Sequence, residues 1–169
     1  MKPSFEHNEC KHCANRFNSV FCKMENDRME EIEAVKVCSI FKKGETVFRQ
    51  GTYASGVFCI NAGKVKLSMT GDEGRDQIVR LAKPGDIIGY KALLSSDRYS
   101  ENAEALEDTN TCFIPREIFM SILQKDATLS FEMMKVLSDE LRRAEGKITH
   151  LAQKPVRERV AETILFLKE

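Results

Sequence analysis

Three observations predict a mainly β fold with appended helices: a jelly roll or small double-sheet barrel followed by a long helix. Gly44, Gly51, Gly56, Gly63, Gly71, Gly74, Gly85 and Gly89 punctuate the stretch from Cys38 to about Ile114. Between them lie short runs rich in β-branched and aromatic residues, and no segment of helix length falls there to make a parallel crossover. From about Leu129 to Gln153 the texture changes to apolar residues at helical spacing.

The elements follow in order. Residues 1–23 form a Cys-rich arm whose filler is polar (His7, Asn8, Lys11, His12, Asn15), with too few apolar residues to fold alone. Residues 24–125 form the jelly-roll domain with short flanking helices. The first of these helices is expected over Glu25 to Val37, where Met29, Ile32 and Val35 recur at near-helical spacing. Gly56 to Ile60, the turn Asn61-Ala62-Gly63 and Lys64 to Met69 alternate as a hairpin should. Gly71 to Gly74 then separates that strand from Gln77 to Leu81. After Pro115, Ile118, Phe119, Ile122 and Leu123 mark a helix over Arg116 to Gln124.

Residues 126–153 carry the long helix. On it Met134, Leu141 and Ile148 repeat every seven positions, with Leu137, Ala144 and Leu151 three positions later, an a/d seam that pairs two copies of the chain into a homodimer. Lys154-Pro155 breaks the helix, because proline removes a donor and restricts the residue before it. Residues 154–169 open a further amphipathic helix with Val160, Ile164 and Leu167 on one face, expected to be the first helix of a domain that continues beyond this chain.

Composition narrows the function classes. The chain of 169 residues is 42% hydrophobic and 31% charged, enough apolar mass for one core plus appendages. Lys plus Arg and Asp plus Glu both number 26, so these residues alone lack the basic surface of a nucleic-acid-binding domain. No apolar run reaches the length of a membrane span and Met1 to Glu9 resembles no secretory signal, so a cytoplasmic protein with no membrane partner is expected. In a reducing cytoplasm cysteines spaced C-x2-C point to metal or redox chemistry before disulfides. Cys10, Cys13 and Cys22 crowd the start and Cys112 is the distant fourth candidate, a layout that ties an arm to a domain through a metal or iron–sulfur site. Zinc on Cys10, Cys13, Cys22 and either His7 or His12 is the alternative, as is no metal at all. Cys38 and Cys59 sit beside Val37, Ile40, Phe58 and Ile60, read as strand core, and are assigned no chemistry. An enzyme is not expected: the histidines (His7, His12, His150) fall outside the predicted strands, so no cupin-type metal set forms, and no nucleophile elbow, zincin motif or phosphate loop occurs.

Nearly the whole chain resembles the Crp/Fnr family of bacterial transcription regulators, whose sensor is a cyclic-nucleotide-binding-type jelly roll. The resemblance is carried by Lys43-Gly44-Glu45-Thr46-Val47-Phe48-Arg49-Gln50-Gly51, by Val57 to Lys66, by Lys83-Pro84-Gly85-Asp86-Ile87-Ile88-Gly89, and by Arg157-Glu158-Arg159-Val160-Ala161. The last looks like the opening of the family's winged helix-turn-helix. The resemblance implies that DNA is bound only through that further domain, with RNA polymerase as a partner of the full-length regulator.

In members that bind cyclic AMP, a Gly-Glu-Leu followed by Arg-Ser/Thr-Ala grips ribose with the glutamate and phosphate with the arginine. This chain reads Gly89-Tyr90-Lys91, then Arg98-Tyr99-Ser100, so Tyr90 replaces the carboxylate and Tyr99 stands nearest the arginine's place. Tyrosine brings neither charge nor a bidentate fork, so cyclic AMP is not expected to bind. A pocket at Gly89, Tyr90, Arg98, Tyr99 and Ser100 that takes another effector is the rival reading. The cysteines resemble those of the oxygen-sensing Fnr branch, in which three N-terminal cysteines and one near a strand end hold a [4Fe–4S] cluster, implying Cys10, Cys13, Cys22 and Cys112 here. The gap from Cys13 to Cys22 holds eight residues, longer than is typical of that branch.

Overall fold

The computed structural model describes residues 9–95 and 98–168, so His7 lies outside the described residues. The chain divides into two compact units, Met1–Ser130 and Phe131–Glu169. The first holds eight strands among its described residues: β1 (Val37–Phe41), β2 (Thr46–Phe48), β3 (Gly56–Ala62), β4 (Val65–Thr70), β5 (Asp76–Ala82), β6 (Ile87–Ile88), β7 (Asn102–Ala105) and β8 (Thr109–Pro115). They form two antiparallel four-stranded sheets, in the orders β1-β8-β3-β6 and β2-β7-β4-β5. The jelly roll expected from the glycine-punctuated runs is the observed architecture.

One local expectation is corrected. β3 and β4 do not pair as a hairpin: β3 pairs with β6 and β8, β4 with β5 and β7, so the turn at Gly63 carries the chain from one sheet to the other. Gly63 has φ +87, and a Cβ there would stand 2.7 Å from the Thr109 Cα. The short glycine turn reflects that close crossing, which periodicity cannot tell from a hairpin. The β4–β5 hairpin around Gly71 and Gly74 does form, closed by the Gly71 N–H to the Arg75 carbonyl at 3.0 Å.

Alternation assigns the two faces of the first sheet. Phe58 and Phe113 are paired in register with ring centroids 5.0 Å apart, and Phe58 lies 5.8 Å from Phe48 of the second sheet. These side chains therefore fill the space between the sheets. Their sequence neighbours Val57, Cys59, Cys112 and Ile114 turn to the outer face.

That outer face is covered by the arm and by two helices, α1 (Asn26–Glu33) and α3 (Arg116–Lys125). Met29 and Ile32 of α1 and Phe119 and Ile122 of α3 are buried, as are Val20, Phe21 and Met24 at the end of the arm. A further short helix, α2 (Tyr90–Leu94), follows Gly89.

The long helix, α4 (Ala127–Gln153), begins in the first unit and continues into the second, and α5 (Val156–Lys168) follows Pro155. In the second unit Met134, Leu137, Leu141, Ile148 and Leu151 are exposed, and so are Val160 and Ile164. The side chain of Leu167 lies outside the described residues.

Candidate functional site

Three strands bring three cysteines into one row. Cys38 on β1 is in register with Cys112 on β8, which is in register with Cys59 on β3. Directly opposed residues share a face of the sheet, so all three thiols project outward beneath the arm. The Sγ atoms of Cys38 and Cys112 lie 2.9 Å apart.

The arm supplies two more thiols from above. Two 3₁₀ turns, Cys10–His12 and Arg16–Asn18, shape it, and polar contacts seat it. The Asn15 side-chain amide donates to the Asn61 backbone carbonyl at 2.6 Å, and the Cys13 thiol to the Asn61 Oδ1 at 3.6 Å. Arg16 donates to the Met24 carbonyl at 2.6 Å. On the α1 side, the Cys10 backbone N–H donates to the Glu33 carboxylate, and Lys11 pairs with Glu30. Gly85, at φ +94, lets the arm approach: a Cβ there would stand 3.0 Å from the Asn18 carbonyl oxygen.

Arm and sheet enclose a cavity of about 290 Å³ lined by Cys10, Cys13, Cys38, Cys59 and Cys112, together with Lys36 and the apolar Ile32, Ile40 and Ile114. The Lys36 side chain is only 2% exposed. Its ammonium donates to the Cys10 sulfur at 3.2 Å and lies 3.0 Å from the Glu33 carboxylate. Two further polar atoms on the cavity wall, the Asn110 Oδ1 and the Arg16 Nε, are buried and find no hydrogen-bond partner among the described residues.

Burial, reinforced by the Glu33 carboxylate, pushes the Cys10 thiol up to about 11 against the opposing pull of Lys36. Burial likewise raises Cys59, and negative charge at Cys10, Cys13 and Cys38 pushes the same way. Burial and the hydrogen bond with Cys38 raise Cys112. Burial works against the Lys36 ammonium, yet hydrogen bonds to Cys10 and Glu33 outweigh it and hold lysine above its ordinary range. Cys10, Cys59 and Cys112 are thus held as neutral thiols near one buried cation, suited to a group whose positive metal centres displace the thiol protons.

Of the four expected ligands, the structure brings Cys10, Cys13 and Cys112 to this cavity, while Cys22 is not among its lining residues. Cys38 and Cys59, assigned no chemistry from sequence, also line it. Two of their apolar neighbours, Ile40 and Ile60, line the same cavity, and only the register of β1, β8 and β3 reveals the row. Among the described residues no three His, Cys, Asp or Glu groups converge closely enough to hold a single metal ion. The five thiols instead ring a space larger than one ion, and their all-sulfur donor set fits an iron–sulfur cluster.

The second candidate region lies between the sheets. The Tyr99 ring stacks on Phe48 with centroids 4.0 Å apart, and its hydroxyl donates to the Gly56 carbonyl at 3.0 Å. Gly89, at φ +84, makes room for it, since a Cβ there would stand 3.1 Å from the Tyr99 ring. Tyr90 is buried beside this glycine, whereas Ser100 is exposed. Arg98 donates to the Gly51 carbonyl at 2.8 Å and lies over the Tyr53 ring at 4.0 Å. Gly89 and Tyr99 are therefore brought together as packing, with the Tyr99 hydroxyl already engaged and the Arg98 guanidinium directed to the surface.

Comparison with known proteins agrees with this architecture. The cyclic nucleotide-binding domain family matches residues 39–126, more than half of the chain. The transcriptional activator protein FnrA of Stutzerimonas stutzeri is 30% identical over 160 residues, covering 92% of this chain and 65% of the relative. The cyclic AMP receptor protein of Thermus thermophilus is 27% identical, covering 76% of this chain and 59% of the relative. The chain thus spans about two thirds or less of the length of these relatives. The sensor domain of the transcriptional regulator DNR from Pseudomonas aeruginosa shares the fold with a TM-score of 0.70 at 19% identity, over 82% of this chain and 93% of that one. With its antiparallel double sheet, its long helix and these matches, the chain belongs to the cyclic nucleotide-binding domain family and, within it, to the Crp/Fnr regulators.

Proposed function

We propose that this chain is the sensing and pairing part of a cytoplasmic Crp/Fnr-type transcription regulator that reports oxygen or redox state through an iron–sulfur cluster. The observation that carries this reading is the cavity lined by five thiols, two from the arm and three from the sheet, with a buried ammonium among them. Cys10, Cys13 and Cys112 would hold the cluster together with a fourth thiolate. When bound, a [4Fe–4S] cluster supplies one-electron chemistry and sensitivity to oxygen.

The residues of the chain do the rest. Beyond the bonds of Cys13 and Asn15 to Asn61, a ligand shared by Cys10, Cys13 and Cys112 would add a further tie between arm and sheet, so that its loss would remove a constraint on the arm. Lys36 would offset the negative charge of thiolates gathered in the cavity, and the buried Ile32 and Ile114 limit the access of water on their side of it. The exposed seam of Met134, Leu137, Leu141, Ala144, Ile148 and Leu151 would pair two copies, and the full-length regulator would meet DNA and RNA polymerase through a further domain.

Anaerobic purification followed by iron and sulfide analysis tests the reading, with Cys112→Ala as the control. Brown protein with about four iron and four sulfide per chain supports it, in keeping with the four thiolates such a cluster takes. Colourless protein carrying zinc, or no metal, would favour the effector-binding alternative. Against that alternative stands the engaged Tyr99 hydroxyl, which leaves the space between the sheets filled by aromatic rings.

A further inference from the structure

Resting on the cluster reading above, we infer that the fourth thiolate is Cys59 and not Cys22, so that the ligand set is Cys10, Cys13, Cys59 and Cys112, two from the arm and two from neighbouring strands of the sheet.

Four features of the geometry lead there. Cys59 lines the cavity and Cys22 does not. Cys59 and Cys112 are register partners on β3 and β8, the two central strands of their sheet, so their thiols share a face at about the 4.8 Å strand spacing. The arm is moored to β3 itself: both Cys13 and Asn15 bond to Asn61, two residues along the strand from Cys59. Finally, the Asn110 Oδ1 on the wall beside Cys112 is buried without a partner among the described residues, which marks the cavity as built around a polar occupant.

Cys38 is the other candidate on the sheet, and its position argues against it. Its sulfur touches that of Cys112 at 2.9 Å. A cubane cluster takes one thiolate on each iron, and two sulfurs in contact cannot reach separate irons without moving apart. Cys59 stands on the opposite side of Cys112 from this contact, beneath the arm thiols.

The test compares Cys59→Ser and Cys22→Ser with wild type after anaerobic reconstitution with ferrous iron and sulfide. Iron and sulfide per chain should fall about tenfold or more in Cys59→Ser and stay at the wild-type level in Cys22→Ser. A loaded wild type alongside a loaded Cys59→Ser and an empty Cys22→Ser overturns the ligand assignment alone. A wild type that takes up neither iron nor sulfide overturns the proposed function and this assignment with it.

Cys59 is half-buried on a central strand, so circular dichroism must show that its variant folds, and the loaded wild type gives an answer that needs no variant. Iodoacetamide should label Cys22 in the loaded protein, and iron chelation should then expose Cys59 together with Cys10, Cys13 and Cys112. Cys22 protected until chelation, with Cys59 unchanged by it, would overturn the assignment.

Discussion

Cys38 and Cys112 stand directly opposite each other on β1 and β8, with their sulfurs 2.9 Å apart. A pair so placed is within easy reach of a cross-strand disulfide, since bonded cysteines have Cα atoms about 5.5 Å apart, the spacing of opposed strand residues. In cluster-free protein, a thiol oxidant such as diamide should remove two protons and two electrons from this pair. The result is a mass lower by two hydrogens and a Cys38–Cys112 crosslink in the peptide map. Burial keeps Cys112 protonated, so the reaction should be slow at neutral pH and faster in alkali. The oxidised protein should no longer take up iron, whereas Cys38→Ser should resist this inactivation.

Lys36 connects the arm to α1 through Cys10 and Glu33. Lys36→Met leaves the Cys10 sulfur and the Glu33 carboxylate without their shared cation in a mostly buried place. A loss of about 1–3 kcal/mol in urea unfolding is expected. Lys36→Arg, which keeps the charge, should recover part of it. In reconstituted protein, loss of this positive charge should also lower the reduction potential, measurable by redox titration followed by electron paramagnetic resonance.

Gly85 sets how closely the arm can lie on the sheet. Gly85→Ala forces a side chain into the left-handed region at φ +94 and against the Asn18 carbonyl. A cost of about 1–2 kcal/mol is expected from the backbone alone. Limited proteolysis should then cut between Cys13 and Cys22 faster than in wild type, while the circular dichroism of the sheets stays unchanged.

Cyclic AMP should leave the protein unaffected. A ligand held at 100 times its Kd would add about 2.7 kcal/mol of stability. Millimolar cyclic AMP should therefore give no shift in Tm, because Tyr99 is stacked on Phe48 and bonded to Gly56 where a phosphate-binding arginine would be needed. A clear upward shift would contradict this.

Leu141 and Ile148 are 62% and 66% exposed on the second unit. The proposed pairing through this seam predicts a dimer in light scattering coupled to size exclusion, and replacing both with Asp should give a monomer, since charges buried at seam positions oppose pairing. The fold of the first unit, followed by its near-ultraviolet circular dichroism, should persist.

Much of this protein was legible from local pattern. Short strands, glycine turns and the seven-residue repeat are properties of neighbouring residues, and local sterics and amphipathicity suffice to specify them; hence the jelly roll, the β4–β5 hairpin and the long helix could be read directly. Replacement of the nucleotide-gripping residues by Tyr90 and Tyr99 was likewise visible, because side-chain chemistry needs no coordinates. The sheet assignment of β3 and β4 and the set of thiols that line the cavity under the arm were decided only by tertiary structure. Both depend on which strands lie side by side, and strand register follows from packing between residues distant in the chain, such as Cys38, Cys59 and Cys112. Apolar neighbours made two of those cysteines look like core, and only the outward face of the sheet, covered by the arm, brings them to one cavity.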